Sequence, residues 1–152
     1  MQKPALIVLI LALVVIVCGC MQAPATPQAT SVSIDASPQF YSPMMSSTPG
    51  IGLVPNVSGF SIPDARYEWN ASYGRFLGWN TTDFHITESG PAAMSNGEKI
   101  YWSFYPFPES SQPPVIITLT AKDKKTGQAL GSSRMTLAWE QNNTFVRVQK
   151  IE

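Results

Sequence analysis

The chain is short of the side chains that most often do chemistry. Its two cysteines, Cys18 and Cys20, both lie in the apolar N-terminus, so the remainder has no disulfide, no thiol nucleophile and no thiolate metal site. His85 is the only histidine. A hydrolytic triad needs a base to take the nucleophile's proton, and no second imidazole is available for that work. Neither charge sign is in excess: ten Lys plus Arg balance ten Asp plus Glu, and removing Lys3 with an export signal leaves nine against ten. Such a balance supplies no basic field for a phosphate backbone, which argues against nucleic acid as a partner. Outside the N-terminus, no apolar series at helical spacing runs beyond a turn. Gly50-Ile51-Gly52 lacks the following lysine and helix of a phosphate loop.

What is present begins with grease. After Met1-Gln2-Lys3, the eighteen residues Pro4 to Met21 carry no charge and no strongly polar side chain. At 1.5 Å per residue they span about 27 Å, close to the thickness of a bilayer's hydrocarbon, so an uncleaved signal anchor is one reading. Val17-Cys18-Gly19-Cys20 resembles a lipobox, with an aliphatic residue at −3 and a small one at −1, and that resemblance implies lipidation of Cys20. Cys18 as the acceptor would put the bulkier Val17 at −1. A plain cleaved signal is the third reading. Residues 1–20 are therefore expected to be a signal peptide with lipobox or a signal anchor. All three readings put the rest outside the cytoplasmic membrane, and the lipid anchor or single N-terminal helix makes the membrane a partner and places the domain at its outer face or the cell surface.

From 21 to 56 the composition shifts to Pro, Ser and Thr. Pro24, Pro27, Pro38, Pro43, Pro49 and Pro55 recur among small polar residues, and Asp35 is the only charge. Proline removes backbone donors and favours extended chain, while scarce aliphatics leave little to offset ordering entropy. This segment is expected to be a linker. Ile34, Phe40-Tyr41 and Met44-Met45 are apolar exceptions, read either as incidental or as a segment that docks on the domain or on a partner.

Residues 57–152 read as strand. Val115, Ile117, Leu119 and Ala121 alternate with Ile116, Thr118, Thr120 and Lys122, the period of a half-buried strand. Asp123 to Gly127 forms a turn, and the chain returns with Met135, Leu137 and Trp139 on one face. Tyr67 and Trp69 share a face, as do Ile100, Trp102 and Phe104. Counting also Arg75 to Trp79, Phe84 to Ile86 and Thr144 to Ile151, about seven short strands are expected, an all-β antiparallel two-sheet sandwich. The expected core is Tyr67, Trp69, Trp102, Phe104, Ile117, Leu119, Leu137 and Trp139. With no disulfide, cohesion rests on burial, to which each tryptophan can bring about 150–250 Å².

Tyr67-Glu68-Trp69, taken with Ile117 to Asp123 and the Gly127 hairpin, resembles the polycystic-kidney-disease (PKD) and related immunoglobulin-like modules of cell-surface proteins. The resemblance covers about half of 57–152 and implies a Tyr-x-Trp strand whose Trp fills the core opposite a Thr/aliphatic strand. It departs from the PKD pattern at Ala71-Ser72-Tyr73-Gly74, where a Gly-Asp-Gly turn would follow, and in the longer stretch from Trp79 to Pro114.

Candidate sites are few. Asp83 with Glu88, or Glu68 with Asp123, are the carboxylates available for paired acid–base work, and nothing in their spacing marks either pair. Asp64, Asp83 and Asp123 could contribute to a calcium site between loops, but no metal and no cofactor is expected. Asp123-Lys124-Lys125-Thr126-Gly127 departs from the phosphorylation motif of transport ATPases by an extra lysine and is read as a turn. Four of the six asparagines, Asn56, Asn70, Asn80 and Asn142, head Asn-x-Ser/Thr acceptors for N-glycosylation. Tyr101, Tyr105 and Phe107 are the candidate surface aromatic patch. The expected protein is an anchored, noncatalytic lipoprotein module that contacts an envelope protein. A carbohydrate-binding module using the aromatics around Tyr101–Phe107, with a glycan as partner, is the first rival, and a small hydrolase or its accessory domain the second.

Overall fold

A computed structural model describes residues 30–80, 82–83 and 85–152. The segment 1–20, with its candidate lipidation site Cys20, lies outside the described residues, as do 21–29. The strands are β1 (Ser31–Ser37), β2 (Phe40–Tyr41), β3 (Ile51–Ser58), β4 (Ala65–Ala71), β5 (Arg75–Asn80), β6 (His85–Gly90), β7 (Ala92–Ser95), β8 (Ile100–Ser103), β9 (Val115–Asp123), β10 (Ala129–Glu140) and β11 (Phe145–Ile151). They form two antiparallel sheets, with orders β1-β3-β8-β5-β6 and β2-β11-β10-β9-β4-β7. The protein is an all-β, two-sheet sandwich. Among the described residues no helix is long and apolar enough to cross a membrane.

The alternation that predicts strands also decides which side chains meet between the sheets. On β9, Val115, Ile117, Leu119 and Ala121 are buried and their neighbours half-buried. Trp69 lies opposite Leu119 on the adjacent β4, and Tyr67 opposite Ala121. From the other sheet come Ile51 and Leu53 of β3, Phe76 of β5, and Ile100 and Trp102 of β8, all buried. Tyr67, Trp69, Trp102, Phe104, Ile117, Leu119 and Leu137 are fully buried, whereas Trp139 is half-buried at the margin of the core. Both central indoles have partners: Trp69 Nε1 donates to Ser95 Oγ at 3.1 Å, and Trp102 Nε1 to the Tyr73 carbonyl at 2.8 Å. The latter bond needs the β4–β5 turn to lie directly on the ring. Gly74 makes this approach possible, with φ +79° and a missing Cβ that would sit 2.6 Å from the Ser103 carbonyl.

The boundary expected at 57 moves to about 30. Instead of a linker, residues 31–58 supply three strands. β1 pairs with β3 from Ser31↔Ser58 to Ser37↔Gly52, and Val32, Ile34 and Tyr41 are core residues. Two physical reasons explain the difference. Val32, Ile34 and Ala36 do alternate with polar residues, so only half of this strand needs to be apolar. The prolines fall where a missing N–H is tolerated: Pro38 between β1 and β2, Pro43 in a turn, and Pro55 beyond the β3–β8 ladder, which ends at Leu53↔Ile100. The unforeseen β7 is only four residues long and carries Ala92 and Ala93, too little pattern to detect.

Each side of the sandwich is finished by chain that changes sheet. β1 is an edge of one sheet and β2 an edge of the other, joined across Pro38; β6 and β7 repeat this across Pro91. The antiparallel ladders then define two ends. The chain enters at Thr30 beside the 59–64 loop, the 96–99 loop and the β9–β10 hairpin. At the far end lie the 42–50 loop, the 72–74 turn, the 104–114 loop and the 141–144 turn.

Because Ile34 is 2% exposed within this core, Ile34→Ala is expected to cost about 2–5 kcal/mol of unfolding free energy. Chemical denaturation checks it: a loss below about 0.5 kcal/mol would return residue 34 to a linker.

Candidate functional site

The far end, opposite the chain's entry, is where exposed apolar side chains sit on braced loops. The 42–50 loop leaves β2 after Tyr41, whose buried hydroxyl donates to the Pro49 carbonyl at 2.9 Å and also pairs with Ser103 Oγ at 2.9 Å. Burial raises the Tyr41 phenol above its ordinary pKa, an effect the Ser103 hydrogen bond partly offsets. A tight turn follows, in which Ser46 N donates to the Ser42 carbonyl and Ser46 Oγ accepts from Ser42 N. Its tip presents Met44 and Met45, each 77% exposed.

The 104–114 loop has no strand of its own, yet it is held along its length. Phe104 is its root, packed edge-on against Trp139 at 4.8 Å and against Tyr41 at 6.0 Å. Phe107 leans edge-on against Phe104 at 5.8 Å, and Tyr105 stands edge-on to Phe107 at 6.0 Å while 63% exposed. Arg75, paired with Glu88 at 2.7 Å, also donates to the Tyr105 carbonyl. Trp139 Nε1 donates to the Pro113 carbonyl at 3.0 Å, and Asn143 Nδ2 to the Ser110 carbonyl at 2.8 Å. Bracing of this kind lowers the entropy lost when a loop binds.

Of the candidate aromatic patch, Tyr105 and Phe107 are in ring contact, and Tyr101 has Trp79 as its ring neighbour. Strand alternation sends Tyr101 to the outer face of its sheet, opposite Gly52, while its neighbour Trp102 points inward. There Tyr101 meets Trp79, which lies on the same outer face beside Leu77 rather than in the core, with ring planes at 66°. The planes of Tyr105 and Phe107 cross at 77°. A sugar ring stacks on a flat aromatic surface, and neither pair presents one.

The other candidates scatter. Asn56, Asn70, Asn80 and Asn142 are all exposed, two on opposite outer sheet faces and one near each end. Asn142 has φ +56° in a turn of three left-handed residues. His85 is exposed at the start of β6, its amide bonded to Asp83 Oδ1 at 3.0 Å. Glu68 lies 2.7 Å from Lys122 and 3.2 Å from Arg66, and its carboxyl is lowered chiefly by the Lys122 hydrogen bond. Asp123 is lowered first by the Thr126 amide, then by the Thr126 hydroxyl, which close its turn. These two carboxylates are thus occupied separately, Glu68 by an ion triad and Asp123 by its own hairpin. Among the described residues no three His, Cys, Asp or Glu gather as a metal set.

No family profile, curated protein or solved structure matches the chain. The fold therefore defines the class, a two-sheet antiparallel sandwich, and any narrower assignment has to come from its own geometry.

Tyr41 and Tyr67 give a paired test of what holds the far end. Tyr41→Phe strips the shared hydroxyl from Pro49 and Ser103 and is expected to cost about 1–2 kcal/mol. Tyr67 has a buried hydroxyl with no partner, so Tyr67→Phe should leave stability unchanged or raise it. Thermal unfolding of both variants checks this, and equal losses would contradict it.

Proposed function

We propose that this protein is a membrane-anchored extracytoplasmic lipoprotein that presents a noncatalytic, immunoglobulin-like module for protein–protein contact. The observation that carries this reading is the far end of the sandwich, where Met44, Met45 and Tyr105 project from loops tied to the core. Met and Tyr are adaptable and rigid contact residues respectively, and both suit a protein interface. The anchor rests on Pro4–Met21 and on Cys20 within Val17-Cys18-Gly19-Cys20. Entry of the chain at Thr30 turns the far-end loops away from such an anchor.

The immunoglobulin-like, PKD-like assignment draws support from pairing. Immunoglobulin sheets run A-B-E-D and C-F-G, with a C′ strand beside C in variable domains. By position β1-β3-β8-β5 corresponds to the first and β10-β9-β4-β7 to the second, and the buried Trp69 lies on the strand in the C position. The correspondence departs in chain order, because β5 and β6 precede β7, and in β11, which widens its sheet between β10 and β2. The carbohydrate reading loses its flat platform with the crossed rings of Tyr105 and Phe107.

Two measurements test the proposal. The intact mass of the membrane-extracted protein is expected to correspond to a chain beginning at Cys20 with a diacylglyceryl adduct; an unmodified chain in the soluble fraction would sink the anchor. A photo-crosslinker placed at residue 105 is expected to give a discrete adduct that the added Met44→Ser and Met45→Ser substitutions weaken. A crosslinker at Thr120, on the outer face of a sheet, is expected to give none. Equal yields from 105 and 120, or retention of oligosaccharide by the wild-type chain alone, would overturn the protein-contact reading.

A further inference from the structure

The end where the chain enters has its own surface. Ile62 of the 3₁₀ turn Ile62–Asp64 occupies the space that a Cβ at Gly97 would fill, a position also 3.7 Å from the buried Tyr67 ring. Even so, Ile62 is 42% exposed. Between this loop and the β9–β10 hairpin lies a cleft of about 420 Å³, lined by Phe60, Leu130, Ser61, Asp64, Asp123 and the lysines Lys124 and Lys125. The loop is fastened to the hairpin rather than hanging free. Lys124 N donates to the Asp64 carbonyl at 3.0 Å, and Lys124 Nζ to the Pro63 carbonyl at 2.8 Å.

Chain length places a constraint on this end. Only the nine residues Gln22 to Thr30 separate the apolar run from the first strand, and nine residues reach at most about 30 Å. A domain tied this closely meets the surface of its anchor at an effective concentration in the millimolar range, so an intrinsically weak contact suffices. The loops nearest the tether make that contact first.

We propose that the end formed by the 59–64 loop and the β9–β10 hairpin rests on the bilayer, with Ile62 entering the headgroup region. The inference depends on the anchored reading above and adds an orientation to it: the sandwich stands end-on, with Met44, Met45 and Tyr105 held outward. The contact is apolar rather than electrostatic. Lys99, Lys124 and Lys125 share this end with Asp64, Asp83, Glu98 and Asp123, so the rim has no net positive field for anionic lipid.

Hydrogen exchange of the full-length protein in phosphatidylcholine vesicles tests it. Amides of 59–64 and 123–128 are expected to exchange several-fold more slowly than in a chain with a long Gly/Ser spacer inserted between Ala29 and Thr30, while amides of 104–114 exchange alike in both. Ile62→Thr is expected to remove most of this protection, and Lys125→Glu, or added phosphatidylglycerol, to change it less than about twofold. A melting midpoint in detergent establishes that each variant is folded, and the spacer chain carries the test alone if Ile62→Thr is not. Equal exchange with and without the spacer, in chains that still float with the vesicles, would overturn the docking and leave the anchor intact. Chains that fail to float would overturn the anchored reading, and this inference with it.

Discussion

The fold depends on two indoles buried between sheets that no covalent bond holds together. The described residues include no cysteine, so separation of the sheets is opposed only by burial and by the hydrogen bonds that burial makes obligatory. Trp69 and Trp102 are the largest fully buried side chains, and each must place its N–H. Trp69 uses a serine on the edge strand β7, and Trp102 the backbone of the β4–β5 turn. Each bond therefore fixes something beyond the ring. One holds a four-residue strand that has little pattern of its own; the other draws Tyr73 and Gly74 onto the core and sets the angle at which β4 passes into β5.

The same economy governs the far end. Phe104 follows β8 directly and joins the core, and from it extends an edge-on series of rings through Trp139 and Tyr73 on one side and Phe107 and Tyr105 on the other. Tyr41 ties a second loop to the same base through one hydroxyl with two partners. Core packing thus continues into the loops through Tyr41, Phe104 and Phe107. On the outer sheet faces, partly exposed ion pairs such as Glu68 with Lys122 contribute little to stability.

Much of the strand content could be read without coordinates. β9 is legible because a strand with one face buried writes its period into nine successive residues, and β4, β8 and β10 follow the same rule. Residues 31–58 were not legible, because proline and serine frequency masks a period of two that β1 carries on only Val32, Ile34 and Ala36. Cross-strand position decides whether Pro55 breaks a ladder, and composition does not contain that information. The candidate site was legible only in fragments. Met44-Met45 and the aromatics of 101–107 stand out in the sequence, but which rings meet, Tyr101 with Trp79 and Tyr105 with Phe107, depends on strand pairing and loop path.

Composition and periodicity alone were enough to establish an apolar N-terminus, a strand-built body without disulfides and the inward faces of its longer strands, because these properties are local and repeat along the chain. Which strands are neighbours, that β1 to β3 belong to the sandwich, and that methionine and tyrosine tips share the end away from residue 30 depend on pairings between distant segments. Such pairings are set by the summed burial of both sheets, which no single stretch of sequence expresses.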